Sequence, residues 1–312
     1  MSEFSNGGSD IQHRYFQTYV NKELQTKIRM HRIPNPTSKS LYHIDGMLDQ
    51  NNVNIAWTQQ SYDIIESLNV VNQQDQFDQI ICVSEWQKQM YIEKLKASAG
   101  TISVIQNGIV PIPEHKKPKG TCNLIYMSTP YRGLDVLLQA FQNIDNAHLH
   151  VFSSMQIYGQ SDKQYEYLYD FCRKHPKITY YGSVPHSELL SALTEMHIFA
   201  YPSTFEETSC ISLLEALSAE LSVVCPKYGA LEETASGFAN MYDYTNDKME
   251  HATVFSNHLQ NAINSYDQDN HSKQKQFIDS HHDWNSSIKT KWETIMEKVI
   301  ATKIPKTNLY YG

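Results

Sequence analysis

The sequence is short of several features that would settle its class at once. Its five cysteines, Cys82, Cys122, Cys172, Cys210 and Cys225, are odd in number, scattered and never in a CxxC pair. Neither a zinc site nor a disulfide framework is expected, and a reducing compartment is. No apolar run approaches the length of a membrane span and no signal peptide opens the chain, so a cytoplasmic location is expected. Peripheral membrane association through a partner or a lipid acceptor stays open. Positive charge is not in excess: the formal net charge is −8, which argues against a mainly electrostatic grip on nucleic acid but allows a local basic pocket for an anion. No internal repeat or long low-complexity tract occurs.

What is present suits a soluble globular protein. The chain has 312 residues, 40% hydrophobic and 19% charged, enough for two ordinary domains or one large one. Tyrosine is frequent, at 20 residues, which occurs both in sugar-binding surfaces and in ordinary cores. Residues up to about 112 are rich in Asn and Gln. Within them, 10–24 has helical spacing of Tyr15, Phe16, Tyr19 and Val20, 52–58 and 79–84 read as buried strands, and 85–95 reads as a helix capped by Ser84. A strand, an Asn-Gly turn and a Pro- and Lys-rich linker fill 101–120 and set the domain boundary at 112–113. Beyond it, strands at 122–129, 147–154, 178–183, 197–203 and 221–226 alternate with helices at 132–144, 165–175, 186–196 and from about 209. That alternation predicts βαβ units and a parallel sheet. In such sheets ligands bind outside the carboxyl ends of the strands, so the chemistry is expected on the loops 128–133, 182–186 and 202–212. The stretch 284–304 reads as a polar helix with a Trp284/Ile288/Trp292/Ile295 stripe.

The segment TFEETSCISLLEALSAELSVV, beginning at Thr204, is the most informative. It starts as a loop after a strand, and Thr208 or Ser209 can cap the helix that follows. A helix N-terminus at the mouth of a sheet offers N–H groups, here of Cys210, Ile211 and Ser212, to a phosphate. Glu207 lies at the loop edge facing the crevice, and Glu215 falls inside an otherwise apolar helix, where its carboxylate can reach a ribose diol over the strand ends. Spacing alone leaves equal room for two solvated acids. The Asp267–Asp269 triplet DQD resembles a metal-binding acidic motif but lies between helices, and a solvated turn is expected there; the adjacent His281 and His282 read as surface residues.

The pattern E-TSCISLL-E resembles the E-x7-E motif of retaining glycosyltransferases of the GT-B fold, in particular glycosyltransferase family 4. The likeness runs through YGSVPHSELLSALTEMHIFAYPSTFEETSCISLLEALSAELSVVCPKYGALEE, which resembles the family's donor-domain core. SVIQNGIVPI, LIYMSTPYRGLDVLLQAF, DWNSSIKTKWETI and NGGSDIQHRYFQTYV resemble, in turn, its interdomain segment, first donor-domain βα unit, closing helix and glycine-rich first loop. The resemblance covers about residues 5–30 and 78–300 and is specific mainly in the second half. It implies an α/β protein of two Rossmann-like domains facing a central cleft. An N-terminal acceptor-side domain of smaller size than usual would span 1–112, a donor-binding domain 113–288, and a helix crossing back to the first domain 289–312.

The resemblance also implies roles. Glu207 would touch the transferred sugar and stabilise charge developing at its anomeric carbon. Glu215 would hold the ribose. The N–H groups at Ser209, Cys210 and Ile211 would contact diphosphate or sugar, Arg132 beside Gly133 would hold the diphosphate, Val184 would sit by the base, and Gly7 and Gly8 would let the backbone approach the phosphates. Arg132 and Glu207 would be the catalytic residues. The implied activity is metal-independent, retaining hexosyl transfer from a UDP- or GDP-sugar to a glycan, lipid-linked or other hydroxyl acceptor, with no cofactor and no nucleic-acid partner. The sequence departs from the family at Met127, where a second cation is usual, and in 56–63, which has no histidine and leaves Gln59, Tyr62 or Asp63 for the acceptor side. A catalytically inactive nucleotide-sugar-binding subunit is the alternative, against which the intact acid pair weighs; a GT-B-type epimerase would not need that pair.

Overall fold

The structure is a computed structural model and describes residues 7–32 and 52–303. Parts of the expected N-terminal domain at 1–6 and 33–51, and the end of the expected terminal helix at 304–312, lie outside the described residues. The chain divides into two compact units. The C-terminal unit comprises Gly108–Asp283 with the residues up to Ile11, and the N-terminal unit comprises Gln12–Asn107 with the residues from Trp284. Ile109 and Ile112 are buried in the C-terminal unit's core, so the division falls at Gly108, where the sequence reading placed it after residue 112.

The N-terminal unit holds four parallel strands in the order β1-β2-β3-β4: Ile28–Arg32, Val53–Trp57, Gln79–Cys82 and Ile102–Val104. All of Val53–Trp57 is buried, as an apolar central strand requires. Strand β1 escapes the sequence reading because IRMHR has no buried residue and carries three cationic or imidazole side chains. The helix expected over 10–24 is two, Gly8–Tyr19 and Lys22–Thr26, because the Asn21 side chain accepts from the Glu23 N–H and starts a new helix. Ser84 does cap Glu85–Leu95, accepting from the Gln87 N–H at 3.0 Å. The segment expected as one helix from 284 begins with a π-helical turn at Trp284–Ile288 before Lys289–Thr302. Its Trp292 packs edge-on against Phe16 and Trp57, at 4.9 and 4.8 Å between ring centres, and Trp284 donates to Gln12 at 2.8 Å.

The C-terminal unit holds six parallel strands in the order β10-β9-β8-β5-β6-β7. They are β5 Cys122–Met127, β6 Ala147–Phe152, β7 Ile178–Tyr180, β8 Ile198–Ala200, β9 Ser222–Lys227 and β10 Asn240–Asp243. The chain leaves β5 in one direction and returns to β8 on its other side, so the strand order reverses between them. In an open parallel sheet a ligand crevice forms at the carboxyl ends of the strands flanking that reversal. Both units are Rossmann-like, and the α/β class is as the sequence predicts. No helix among the described residues is long and apolar enough to cross a membrane.

Two sequence expectations are settled outside the site. Asp267 and Asp269 are exposed on a short turn, and Asp267 caps it by accepting from the Asp269 N–H at 3.2 Å. Of the two adjacent histidines only His281 is on the surface. His282 is buried, because the last turn of Ser272–His282 runs into the core and its carbonyl accepts from the Ile109 N–H at 2.8 Å.

Candidate active site

A cavity of about 130 Å³ opens at the carboxyl ends of β5, β6, β7 and β8, within the C-terminal unit. Met127 and Ser128 line it from β5, Phe152–Ser154 from β6, Gly182–Val184 from β7, and Ile211, Ser212 and Glu215 from the helix after β8. Gly7, Gly8 and Ile11 close one side. The topology alone puts a crevice here. Of the residues singled out in the sequence, Gly7, Gly8, Val184, Ile211 and Glu215 line it; Arg132, Gly133, Glu207, Ser209 and Cys210 do not.

Glu215 sits on the Ile211–Ser218 helix, whose positions 213–218 are otherwise apolar or small and all buried. Its side chain is 4% exposed, and one oxygen, Oε1, takes a hydrogen bond from Nε2 of His186 at 2.7 Å. That bond explains how a carboxylate is tolerated in a greasy helix: burying an unpartnered charge would be prohibitive. The helix starts at Ile211 with Cys210 as its N-cap, and the Cys210 side chain makes no capping hydrogen bond. The N-cap position therefore falls one residue beyond Ser209, the later of the two residues expected to hold it. Ser212 in the first turn donates to the Met127 carbonyl at 3.1 Å, tying the helix start to the end of β5.

Glu207 is buried, not a solvated loop acid. Its Oε1 accepts from Tyr201 at 2.5 Å and from Nη1 of Arg132 at 2.8 Å. Burial pushes the Tyr201 hydroxyl well above its usual range, and the neighbouring carboxylate adds to this, so Tyr201 stays a donor. Burial opposes the charge on Arg132, but Glu207, with Tyr158, Tyr201 and Tyr131, outweighs it and holds the guanidinium firmly protonated. The guanidinium lies over the Phe205 ring at 4.4 Å and the Tyr131 ring at 5.6 Å. Only one of its N–H groups is spent on Glu207, and a guanidinium has five. Burial and then Glu207 raise the Cys210 thiol far above its usual range, which leaves no thiolate nucleophile at this loop.

The loops after β5 and β8 are laced together. Besides the Arg132–Glu207 pair, Thr204 donates to the Tyr131 carbonyl at 3.0 Å. Gly133 makes the approach possible: it has φ +105°, and a Cβ there would stand 2.0 Å from the Pro202 carbonyl oxygen. Gly229 does the same behind Glu207, with φ +59° and a Cβ position 2.5 Å from the Glu207 carbonyl oxygen. Backbone atoms cannot retreat as a side-chain tip can. Gly133→Ala is expected to destabilise the protein by at least about 2–3 kcal/mol, a thermal-melting shift of several degrees. A melting temperature unchanged in calorimetry would show that the loops are not held by this contact.

Sequence reasoning missed His186, Tyr201, Tyr158 and Phe205. His186 pairs across 29 positions and Arg132 reaches Glu207 across 75, distances at which single-sequence patterns are blind. Tyr201, next to a strand, reads as core. On the other unit, Tyr62 tilts against Trp86 at 6.3 Å between ring centres and Asp63 is exposed. No group of three or more His, Cys, Asp or Glu side chains among the described residues is placed to hold a metal ion together.

The sequence profile of the family described as "Glycosyl transferases group 1" matches residues 114–274, just over half of the chain. The chain belongs to this family. Among curated relatives, the phosphatidylinositol N-acetylglucosaminyltransferase GPI3 subunit of Saccharomyces cerevisiae is 24% identical over 177 residues, covering 53% of this chain and 39% of the relative. A phosphatidylinositol N-acetylglucosaminyltransferase subunit from Arabidopsis thaliana is 27% identical over 165 residues, covering 50% of this chain and 36% of the relative. The chain thus spans about two fifths of the length of the curated relatives it matches. Among solved structures, a glycosyltransferase from Rickettsia africae superposes with a TM-score of 0.64 at 15% identity, covering 81% of this chain and 72% of that one. Anabaena Alr3699/HepE in complex with UDP-glucose gives 0.63 at 14% identity, covering 79% and 72%. The chain therefore has the GT-B fold.

Proposed function

We propose that this glycosyltransferase is a retaining, metal-independent hexosyltransferase of the E-x7-E type (family 4), using a UDP- or GDP-sugar. The observation that carries the reading is the joint placement of the two acids. Glu215 lines the cavity at the strand-order reversal, and Glu207 lies eight positions earlier beside the cation of the neighbouring loop. In this reading the nucleoside fills the cavity. Its base lies by Val184, and its ribose diol donates to Glu215. Its diphosphate points toward Arg132 and the N–H groups at Cys210 and Ile211, and Gly7 and Gly8 face its other side. The sugar then lies by Glu207. Negative charge grows on the leaving diphosphate in the transition state, and a fixed cation there lowers the barrier. The leaving phosphate takes the acceptor's proton on the same face, so configuration is retained without a protein nucleophile, in keeping with the protonated thiol of Cys210.

The acceptor carries a hydroxyl. Lipid-linked acceptors and N-acetylglucosamine donors enter the test panel because the curated relatives are subunits of a phosphatidylinositol N-acetylglucosaminyltransferase. Alr3699/HepE is solved with UDP-glucose, which supports a uridine donor in the panel. A nucleotide-sugar-binding subunit without catalysis is not favoured, since such a role has no use for a buried acid–cation pair next to the sugar position.

The test is product formation, or slow donor hydrolysis without acceptor, from a panel of UDP- and GDP-sugars with mass-spectrometric detection. Because Arg132 and backbone N–H groups neutralise the leaving diphosphate, turnover in EDTA is expected within about twofold of that in magnesium. Loss of all turnover in EDTA, restored by manganese, would overturn the metal-independent mechanism. Release of the free nucleotide from no sugar donor would overturn the enzyme reading.

A further inference from the structure

We propose that His186 is a positioning residue that sets this protein's preference for a ribose diol, acting through Glu215. The inference rests on the reading of Glu215 as the ribose contact and adds a residue to it. His186 opens the helix His186–Leu193 after β7, whereas Glu215 lies in the helix after β8. Two βα units therefore converge on one wall of the cavity, and both side chains line it. Their 2.7 Å bond is the contact that joins them there.

An ionised carboxylate only accepts, so Nε2 of His186 carries the hydrogen of this bond. The bond uses Oε1 and fixes the carboxylate plane; it leaves Oε2 and a further lone pair to accept from a ligand. A glutamate side chain has three rotatable angles, and an unanchored one would have to be ordered each time a ligand bound. Held by His186, the carboxylate is set in advance. The same bond screens the buried charge when the cavity is empty. His186 thus acts without touching the diol, and its removal should cost only those ligands that use Glu215.

That condition separates positioning from simple support of the fold. Binding of UDP and of 2′,3′-dideoxy-UDP is measured by calorimetry on the whole chain, with GDP and 2′,3′-dideoxy-GDP in parallel. The parent is expected to bind the ribonucleotide at least about tenfold more tightly, the size of a hydrogen bond to a charged group. His186→Ala should weaken the ribonucleotide about tenfold and the dideoxy form by less than about threefold, so that discrimination collapses. His186→Gln, whose amide N–H can replace Nε2–H, should recover most of it. Equal weakening of both nucleotides, or undiminished discrimination in His186→Ala while Glu215→Ala has lost it, overturns the inference and leaves the ribose reading standing. A parent that does not discriminate, a Glu215→Ala variant that still does, or a parent that binds neither diphosphate overturns the ribose reading and the inference with it.

Discussion

Arg132→Ala is expected to turn over donor about a hundred- to a thousandfold more slowly than the parent, the usual consequence of removing one preorganised charge-stabilising group. Met127, at the position where a second cation is usual in the family, is an apolar residue 4% exposed at the end of β5, so Arg132 would carry the diphosphate almost alone. The structure adds a second consequence. Arg132 is also the partner of Glu207, which is 3% exposed, and breaking a buried pair from one side typically costs about 3–5 kcal/mol. Arg132→Ala should therefore lower the melting temperature as well as turnover. The two effects are separable because turnover is measured per folded molecule, at a temperature well below the variant's transition. Arg132→Lys should recover part of each, since an ammonium keeps the charge but gives neither the forked contact to phosphate nor the flat stacking on Phe205. In Arg132→Ala/Glu207→Gln, neutralising the stranded carboxylate should return stability but not rate. Turnover of Arg132→Ala within about threefold of the parent would remove the phosphate from this loop and leave Arg132 as a structural partner of Glu207 alone.

How much of this was legible in the sequence follows from how local each signal is. Five strands of the C-terminal sheet, β5 to β9, could be read because each is a short apolar run next to a helix, and the strand ends then located the loops of the site. The sixth, β10, is NMYD with a single buried residue, too short and polar to stand out. Glu215 stood out because a charge inside ISLLEALS has no local explanation. Its explanation, His186, is not local, and a histidine at the start of a helix reads as an exposed first-turn residue. Glu207 was undecided by spacing: in FEET a crevice acid and a solvated acid read alike, and the burial comes from the β5 loop, whose close approach the missing side chain of Gly133 allows and whose Arg132 pairs with Glu207. Strand β1 and the break at Asn21 were lost because the N-terminal unit's edge has no apolar face to mark it. His282 was misread because adjacent polar residues look alike in sequence, although on a helix neighbours point about 100° apart, and one faces the core.

The two acids should fail in different ways when removed. Glu207→Gln keeps the shape and a carbonyl oxygen that can still accept from Tyr201 and Arg132, but removes the negative charge. Charge at the anomeric carbon is small in the bound donor and large in the transition state, so an interaction with it appears mainly in turnover. Turnover is expected to fall about a hundredfold, with UDP affinity within about threefold of the parent. Glu215→Ala, by contrast, would remove a contact that the free nucleotide already makes under the proposed ribose reading. It should weaken UDP about ten- to a hundredfold, the range for hydrogen bonds to a charged group, and depress turnover at saturating donor much less. The pair of measurements is decisive because each variant is the other's control: both delete one buried carboxylate, so a general loosening of the fold would move affinity and turnover alike in both. The structure supplies a reason to expect the split. Glu215 faces the cavity and His186, while Glu207 lies outside the cavity wall and shares its charge with Arg132, on the path the leaving group would take. Equal loss of nucleotide affinity in the two variants would refute this division of labour and place both acids on the nucleotide.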